Sequence, residues 1–213
     1  MSKSITADAI LDRALELGNA YGWDAVRLHT VAASLDIPLN EVRKHYPQKD
    51  DLSEAWFDRA DSAALAASED NGFATLTERL RLAATIMAWL NSLQPHRRLT
   101  RTMLGYKLEP GHLHLQALGI MRISRTVQWF MESARLEQAG IRRTLLEVAL
   151  TAVYLTTFSR WLFDGSPGSA DTRRYLEAAL QRLEKFPGMS GNVRGRQDAD
   201  DTRTGSPATR TGN

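Results

Sequence analysis

The segment from Trp23 to Leu52 constrains the fold of this chain more than any other. Apolar residues at helical spacing predict a first helix of about two turns, which must end before Asp36, where the chain turns. Pro38 fixes its own φ angle and cannot lie deep in a helix, so a second helix should begin there or just after it. Pro47 should end that helix. Two short helices joined by a tight turn are typical of a helix-turn-helix, which lays its second helix in the DNA major groove.

The same segment resembles the N-terminal domain of the TetR-type transcriptional regulators. The matching residues are Ala14, Tyr21-Gly22-Trp23-Asp24-Ala25-Val26, Val31-Ala32, Ile37, Val42, His45-Tyr46 and Gln48-Lys49-Asp50-Asp51-Leu52. The resemblance is close over the N-terminal helices and general beyond them. It implies an all-α protein, in which an N-terminal three-helix helix-turn-helix domain precedes a helical effector and dimerisation domain.

The resemblance also implies which residues contact DNA. We expect these to be Arg27, His29, Leu39, Asn40, Arg43, Lys44, His45 and Lys49. Three residues depart from the family pattern: Asp36 replaces the usual turn glycine, Pro38 replaces a capping hydroxyl, and Glu41 adds a carboxylate to the groove-facing side. A carboxylate repels phosphate and could only accept a hydrogen bond from the amino group of cytosine.

The distribution of charge gives this hypothesis limited support. The formal net charge of the chain is +2, and residues 1–50 carry slightly more acidic than basic side chains. Because phosphate neutralisation dominates DNA affinity, the fold must gather its cations on one surface. We expect Arg27, Arg43, Lys44 and Lys49 to form that positive edge.

The chain is predicted to divide into four parts. A helix-turn-helix DNA-binding domain covers residues 1–50, and a connecting helix covers 51–71, ending at the Asn71-Gly72 break. A helical ligand-binding and dimerisation domain covers 72–186. Residues 187–213 are rich in Gly, Ser, Thr, Arg and Asp and lack an apolar period, so this tail is predicted to be disordered.

Apolar periodicity in the larger domain predicts helices over 73–93, 113–136, 141–163 and 171–186. Leu80 of the 73–93 helix should face the protein core, and Ser169 could cap the 171–186 helix. The 141–163 helix is apolar nearly all round, which predicts burial on more than one side. The resemblance implies that helices 141–163 and 169–186 of two copies form a four-helix bundle, so we expect a homodimer.

Aromatic and methionine side chains in the larger domain predict a pocket for a small apolar or amphipathic effector. Its lining is predicted to include Met87, Trp89, Met103, Tyr106, Met121, Trp129, Tyr154 and Phe158. The basic cluster from His96 to Arg101 is interpreted as a solvated helix start or, alternatively, as a contact for an anionic ligand. His112 and His114 are two residues apart and would face away from each other on a helix, so no metal site or cofactor is expected.

Two functional hypotheses follow from these features. The first is a ligand-responsive repressor that binds a palindromic operator in double-stranded DNA as a homodimer. The second is a lipid- or isoprenoid-binding protein on the same fold, similar to the COQ9-type proteins of ubiquinone biosynthesis, which would explain Asp36 and Glu41 without DNA. An enzyme is not expected, because the chain has no Cys and no recognisable catalytic or phosphate-binding motif. The lack of long apolar runs predicts a cytoplasmic protein without a membrane span.

Overall fold

The computed structural model describes residues 6–108 and 113–185, with side chains over 6–105 and 121–185. The predicted tail of 187–213, the turn with His112, and the side chains of Tyr106 and His114 lie outside the described residues. Within the described ranges the chain forms nine α-helices, joined by turns and short 3-10 helices, and no β-strand. The all-α fold expected from the sequence is confirmed. The helices are α1 Ala7–Tyr21, α2 Leu28–Ser34, α3 Leu39–His45, α4 Lys49–Ala67, α5 Glu78–Ser92, α6 Arg97–Leu108, α7 Leu113–Ser133, α8 Gly140–Trp161 and α9 Ala170–Glu184.

Helix α1 begins and ends where its capping residues allow. Thr6 accepts a hydrogen bond from the backbone N–H of Ala9 at 3.2 Å, and Gly22 ends the helix with a φ angle of 88°. A residue with a side chain is strained at that angle, so glycine is favoured there. One face of α1 is buried, and Ile10 and Leu11 of that face belong to a core that includes Val31 of α2 and Val42 of α3.

Helix α4 links the three N-terminal helices to the rest of the chain. It starts with a reciprocal cap, in which the backbone N–H of Gln48 donates to Asp51 at 2.8 Å. Its buried face, which includes Trp56 and Ala60, packs against α1 on one side and α5 and α7 on the other. Arg59 also donates to Asp8 and Asp12 of α1, at 2.9 and 2.6 Å. Helix α4 therefore connects the three N-terminal helices to α5 and α7.

Helix α5 begins later than the sequence predicts. Residues Phe73–Thr75 form a short 3-10 helix, and α5 starts at Glu78, after Thr77 accepts a hydrogen bond from the N–H of Leu80 at 3.4 Å. The hydroxyl cap at Thr77 starts the helix at Glu78, so Leu80 lies in its first turn. The prediction that Leu80 faces the core is consequently wrong, because its side chain is exposed while Leu82 is buried.

Helices α8 and α9 are joined by a loop organised around one carboxylate. Asp164 accepts hydrogen bonds from the backbone N–H groups of Ser166 and Thr172, at 2.8 and 2.9 Å. Partial burial raises the pKa of Asp164. These bonds and those from the hydroxyls of Ser166 and Thr172 outweigh burial and hold that pKa well below its usual range. Ser169 was expected to cap α9 but makes no capping bond and has a φ angle of 55°. The predicted cap is wrong because the first N–H groups of α9 donate instead to Asp164 and to the hydroxyl of Ser166.

None of the described helices is long and apolar enough to cross a membrane.

Candidate nucleic-acid interface

Helices α2 and α3 form a helix-turn-helix in the place that the sequence predicts. Between them Asp36 has a φ angle of 53°, and the N–H of Ile37 donates to the carbonyl of Ala32 at 3.1 Å. Aspartate tolerates this left-handed conformation better than most residues, which explains how it can replace glycine. Pro38 precedes the first residue of α3 in an extended conformation. Val31 and Val42 are fully buried and hold the two helices together.

One side of α3 is free of contact with the other helices. Val42 is the only buried residue of α3. The predicted DNA-binding residues of this helix are all exposed, namely Leu39, Asn40, Arg43, Lys44 and His45. His29 of α2 is also exposed. The exposed side of α3 is available to enter a groove of DNA. It is called the recognition face below and is defined by Leu39, Asn40, Arg43, Lys44 and His45.

Three of the four cations expected to form a positive edge have partners within the N-terminal helices. Lys44 pairs with Glu41 at 2.6 Å. Arg27 donates to the backbone carbonyls of Asp24 and Val26. Lys49 donates to the carbonyl of Trp23 at 2.6 Å and lies 5.2 Å from the centre of its ring, and burial lowers the pKa of Lys49.

Arg43 differs from these three cations. Among the described residues it takes part in no ion pair, and its side chain is exposed. Lys44 neutralises the charge of Glu41, so the carboxylate that departs from the family pattern is compensated locally. The positive charge of the recognition face is therefore concentrated on Arg43.

A row of apolar side chains runs along the outer side of α8. Ile141, Leu145 and Val148 are 78%, 60% and 66% exposed. Ala152 and Leu155 continue the row and are also exposed. The spacing alternates between four and three residues, which is the spacing of a helix seam that packs against another helix. This row is called the outer stripe below. Helix α8 therefore has a second apolar side, and burial of that side stays a prediction, because the outer stripe is exposed in the single chain.

Comparison with known structures identifies the family. The crystal structure of a TetR transcriptional regulator from Nitrosomonas europaea ATCC 19718 matches with a TM-score of 0.75 and 42% sequence identity, covering 84% of this chain and 98% of that one. The chain belongs to the TetR family of transcriptional regulators. A TetR transcriptional regulator from Rhodococcus sp. RHA1 matches with a TM-score of 0.62 and 16% identity, over 83% of this chain and 93% of that one, and supports the fold alone. No protein-family model and no curated protein sequence matches the chain.

In this TetR-family regulator, α4 and α7 contact each other through a buried ionic cluster that the sequence analysis missed. Arg122 of α7 is 9% exposed and donates to Glu54, Asp58 and Asp61 of α4, at 3.0, 2.8 and 3.1 Å. Its guanidinium also lies 5.4 Å from the centre of the Phe57 ring. The three acids are spaced by four and three residues on one side of α4. That spacing is the one signal in the sequence that could have indicated a buried cation.

Asp61 extends the cluster to α5. Its carboxylate accepts hydrogen bonds from Nε1 of Trp89 at 2.8 Å and from the hydroxyl of Thr126 at 3.0 Å. Burial raises the pKa of Asp61, and Arg122 and the two hydrogen bonds oppose that effect. One carboxylate therefore connects α4, α5 and α7, in addition to the apolar packing of α4 on α5.

The residues predicted to line an effector pocket fall into two groups. Met87, Trp89, Met103, Tyr154 and Phe158 are buried. Trp89 contacts the rings of Tyr154 and Phe158 edge to face, with centroids 5.4 and 5.2 Å apart, so these rings fill the space between the helices. Met121 and Trp129 are exposed and do not share that environment. A small open cleft does exist among the described residues, but it lies between α5, α8 and α9, lined by Leu82, Leu146 and Leu180.

The basic cluster that begins at His96 connects α6 to other parts of the chain. Arg97 donates to the backbone carbonyl of Asp164 and to the hydroxyl of Ser169, and it lies 4.9 Å from the centre of the Trp161 ring. His96 contacts Asn19 of α1, and burial lowers its pKa. Arg97 therefore holds α6 to the α8–α9 loop, whereas Arg98 and Arg101 are exposed, as expected for a solvated helix start. The alternative, a contact for an anionic ligand, stays a prediction.

Proposed function

We propose that this chain is a ligand-responsive repressor that binds a palindromic operator in double-stranded DNA as a homodimer. The observation that supports DNA binding most directly is the recognition face, where Asn40 and Arg43 are exposed beside each other on a helix of suitable size. Asparagine suits the edge of adenine, and arginine suits guanine or a phosphate. The division into a DNA-binding domain of 1–50, a connecting helix of 51–71 and a larger domain is part of this proposal.

Arg27, Lys44 and Lys49 would have to exchange their present partners for DNA phosphates. Lys44 leaves Glu41 at little cost, because an exposed ion pair contributes only about 0–1 kcal/mol. Arg27 gives up bonds to backbone carbonyls at an exposed position. The DNA backbone would be contacted by His29 and Lys49, which flank the recognition face, and by His45, which belongs to it. Phosphate contacts of this kind position the protein on DNA, while Leu39, Asn40 and Arg43 would contact the bases.

The outer stripe supports the dimer. Exposed apolar residues in a row of this length are a typical protein–protein contact surface. Packing of α8 and α9 from two copies would cover the stripe and relate the two recognition faces by a two-fold axis. Such a dimer places its recognition helices in successive major grooves about 34 Å apart, which requires a palindromic site.

The ligand response would act through Trp89. This residue touches Tyr154 and Phe158 on one side and donates to Asp61 of α4 on the other. A small apolar effector that separates these rings would move Trp89 and weaken its bond to α4. Because α4 also contacts α1, such a shift would change the spacing of the two DNA-binding domains and lower operator affinity.

The test is a fluorescence anisotropy titration of the purified dimer on DNA fragments from upstream of its own gene, over a series of salt concentrations. We expect tight binding to a palindrome and a steep loss of affinity as salt rises. Arg43→Ala should weaken binding, while Arg174→Ala, which changes an equally exposed arginine on α9, should not. Absence of binding at low salt to every upstream fragment would reject the proposal. Lipid found by mass spectrometry in the purified protein would then support the carrier hypothesis.

A further inference from the structure

The recognition face contains one apolar side chain, and its position is informative. Leu39 is 49% exposed, while the other large apolar residues of α2 and α3, such as Leu28 and Val42, are at least partly buried among the described residues. A single exposed leucine is ordinary on a protein surface. The location of Leu39 makes it different, because α3 is the helix proposed to enter the major groove and contact base edges.

The geometry of α3 puts Leu39 next to Arg43, which takes part in no ion pair among the described residues. Residues four apart lie on the same side of a helix, so Leu39 and Arg43 are neighbours. Glu41 and Lys44 lie on the other side of the exposed surface and bond to each other at 2.6 Å. The half of the recognition face that is not engaged internally therefore combines an apolar side chain with an arginine.

The major groove offers only one apolar group to such a side chain. Of the four bases, thymine alone carries a methyl group at the groove edge, and an apolar contact to it distinguishes thymine from the other bases. We infer that Leu39 packs on the C5-methyl group of a thymine in each operator half-site and is a determinant of operator sequence. This inference rests on the proposed DNA-binding function and names the feature of the DNA that is recognised.

The expected effect follows from the burial of one methyl group. Removing that group from the DNA should weaken binding about fourfold for each half-site. A symmetric dimer makes the contact twice, so replacement in both half-sites should weaken binding about fifteenfold.

The experiment uses the full-length protein and an upstream fragment that it binds. Each thymine of the two half-sites is replaced in turn by deoxyuridine, which lacks only the methyl group, and affinity is measured by anisotropy. At one symmetric position we expect the wild-type protein to lose about fifteenfold in affinity. Leu39→Ala should bind the thymine fragment as weakly as the wild type binds the deoxyuridine fragment, and should not distinguish the two. Leu39→Met, which keeps an apolar side chain, should still distinguish them.

The control variant is Leu80→Ala, which shortens an exposed leucine of α5 outside the recognition face. It should keep the wild-type sensitivity to deoxyuridine. If Leu39→Ala keeps that sensitivity too, or if no position is sensitive in the wild type, the inference is wrong while DNA binding stands. Failure of the wild type to bind any fragment is a different result and overturns the proposed function itself.

Discussion

Two regions of this molecule reverse the usual distribution of polar and apolar side chains. Where α4 contacts α7, an arginine and an aspartate are buried, and Arg122 meets three carboxylates. Along the outer stripe of α8, Ile141, Leu145 and Val148 are exposed instead. The buried charges have their partners within one chain, whereas the apolar residues of the outer stripe are left exposed by the described residues. The first region is complete in the monomer, and the second would be covered in the proposed dimer.

The difference separates two requirements of the proposed regulator. Buried ion pairs need accurate geometry, because a charge without its partner is costly in a low-dielectric interior. They suit the contact between α4 and α7, through which a small displacement would act in the proposed ligand response. Apolar contacts are not directional and suit a stable, extended interface between copies. The four predictions below test this contrast, starting with the largest expected effect.

The first prediction removes the cation of the ionic cluster. Arg122→Met leaves Asp61 buried without its charge partner and should lower the free energy of unfolding by about 3 kcal/mol. Chemical denaturation at fixed protein concentration, followed by circular dichroism, measures the change. Arg125→Met is the control, since Arg125 also pairs with Asp58 but is 52% exposed. Arg125→Met should lower the free energy of unfolding by less than about 1 kcal/mol. Equal stability of Arg122→Met and wild type would show that the cluster is not a stabilising contact.

The second prediction places a charge on the outer stripe. Val148→Glu puts a carboxylate into the proposed interface twice, once from each copy, and should raise the dimer dissociation constant at least about 100-fold. Analytical ultracentrifugation measures the dissociation constant, and circular dichroism shows whether the monomer stays folded. Leu80→Glu, at an exposed leucine outside the stripe, should leave the dimer intact. A wild-type protein that sediments as a monomer at micromolar concentration would contradict this assignment.

The third prediction concerns the packing of α1 against α6. A Cβ atom at position 18 would lie 2.9 Å from Cδ1 of Leu99 and 3.3 Å from Cε3 of Trp23. Gly18→Ala should therefore destabilise the protein by about 1 kcal/mol, because the overlap outweighs the gain in helix propensity. Gly105→Ala in α6 is the matched control, since a Cβ atom there meets nothing within 4 Å. It should instead stabilise the protein by about 0.5–1 kcal/mol in thermal unfolding.

The fourth and smallest effect is a dependence of stability on pH. Burial lowers the pKa of His96 below its ordinary value of 6.5, so the unfolded chain binds a proton more readily than the native one. The stability that His96 contributes is present above pH 6.5 and is lost as the pH falls through the native pKa. His96→Gln should reduce the loss of stability at low pH, and His45→Gln, at an exposed position, should not. Parallel stability curves for His96→Gln and wild type would contradict the prediction.

Sequence reasoning located most of the helix-turn-helix, and the reason is that its signals are local. Pro38, Pro47 and the Gly22 cap act on their own backbone, and Val31 and Val42 follow the helical period. The site was predicted less well. The exposure of Arg43 and His45 follows from periodicity, but the pairing of Lys44 with Glu41 and of Lys49 with Trp23 depends on rotamers and on contacts between helices.

By itself the sequence determined the helical class, the helix-turn-helix and the apolar character of α8, because each depends on residues within a few turns of one another. Tertiary structure alone decided that Arg122 joins acids more than sixty residues away, and that Trp89 packs into a closed cluster while Trp129 faces outward. The physical reason is that the partner of a buried charge or ring is chosen by how helices pack, and local periodicity carries no information about which helices meet.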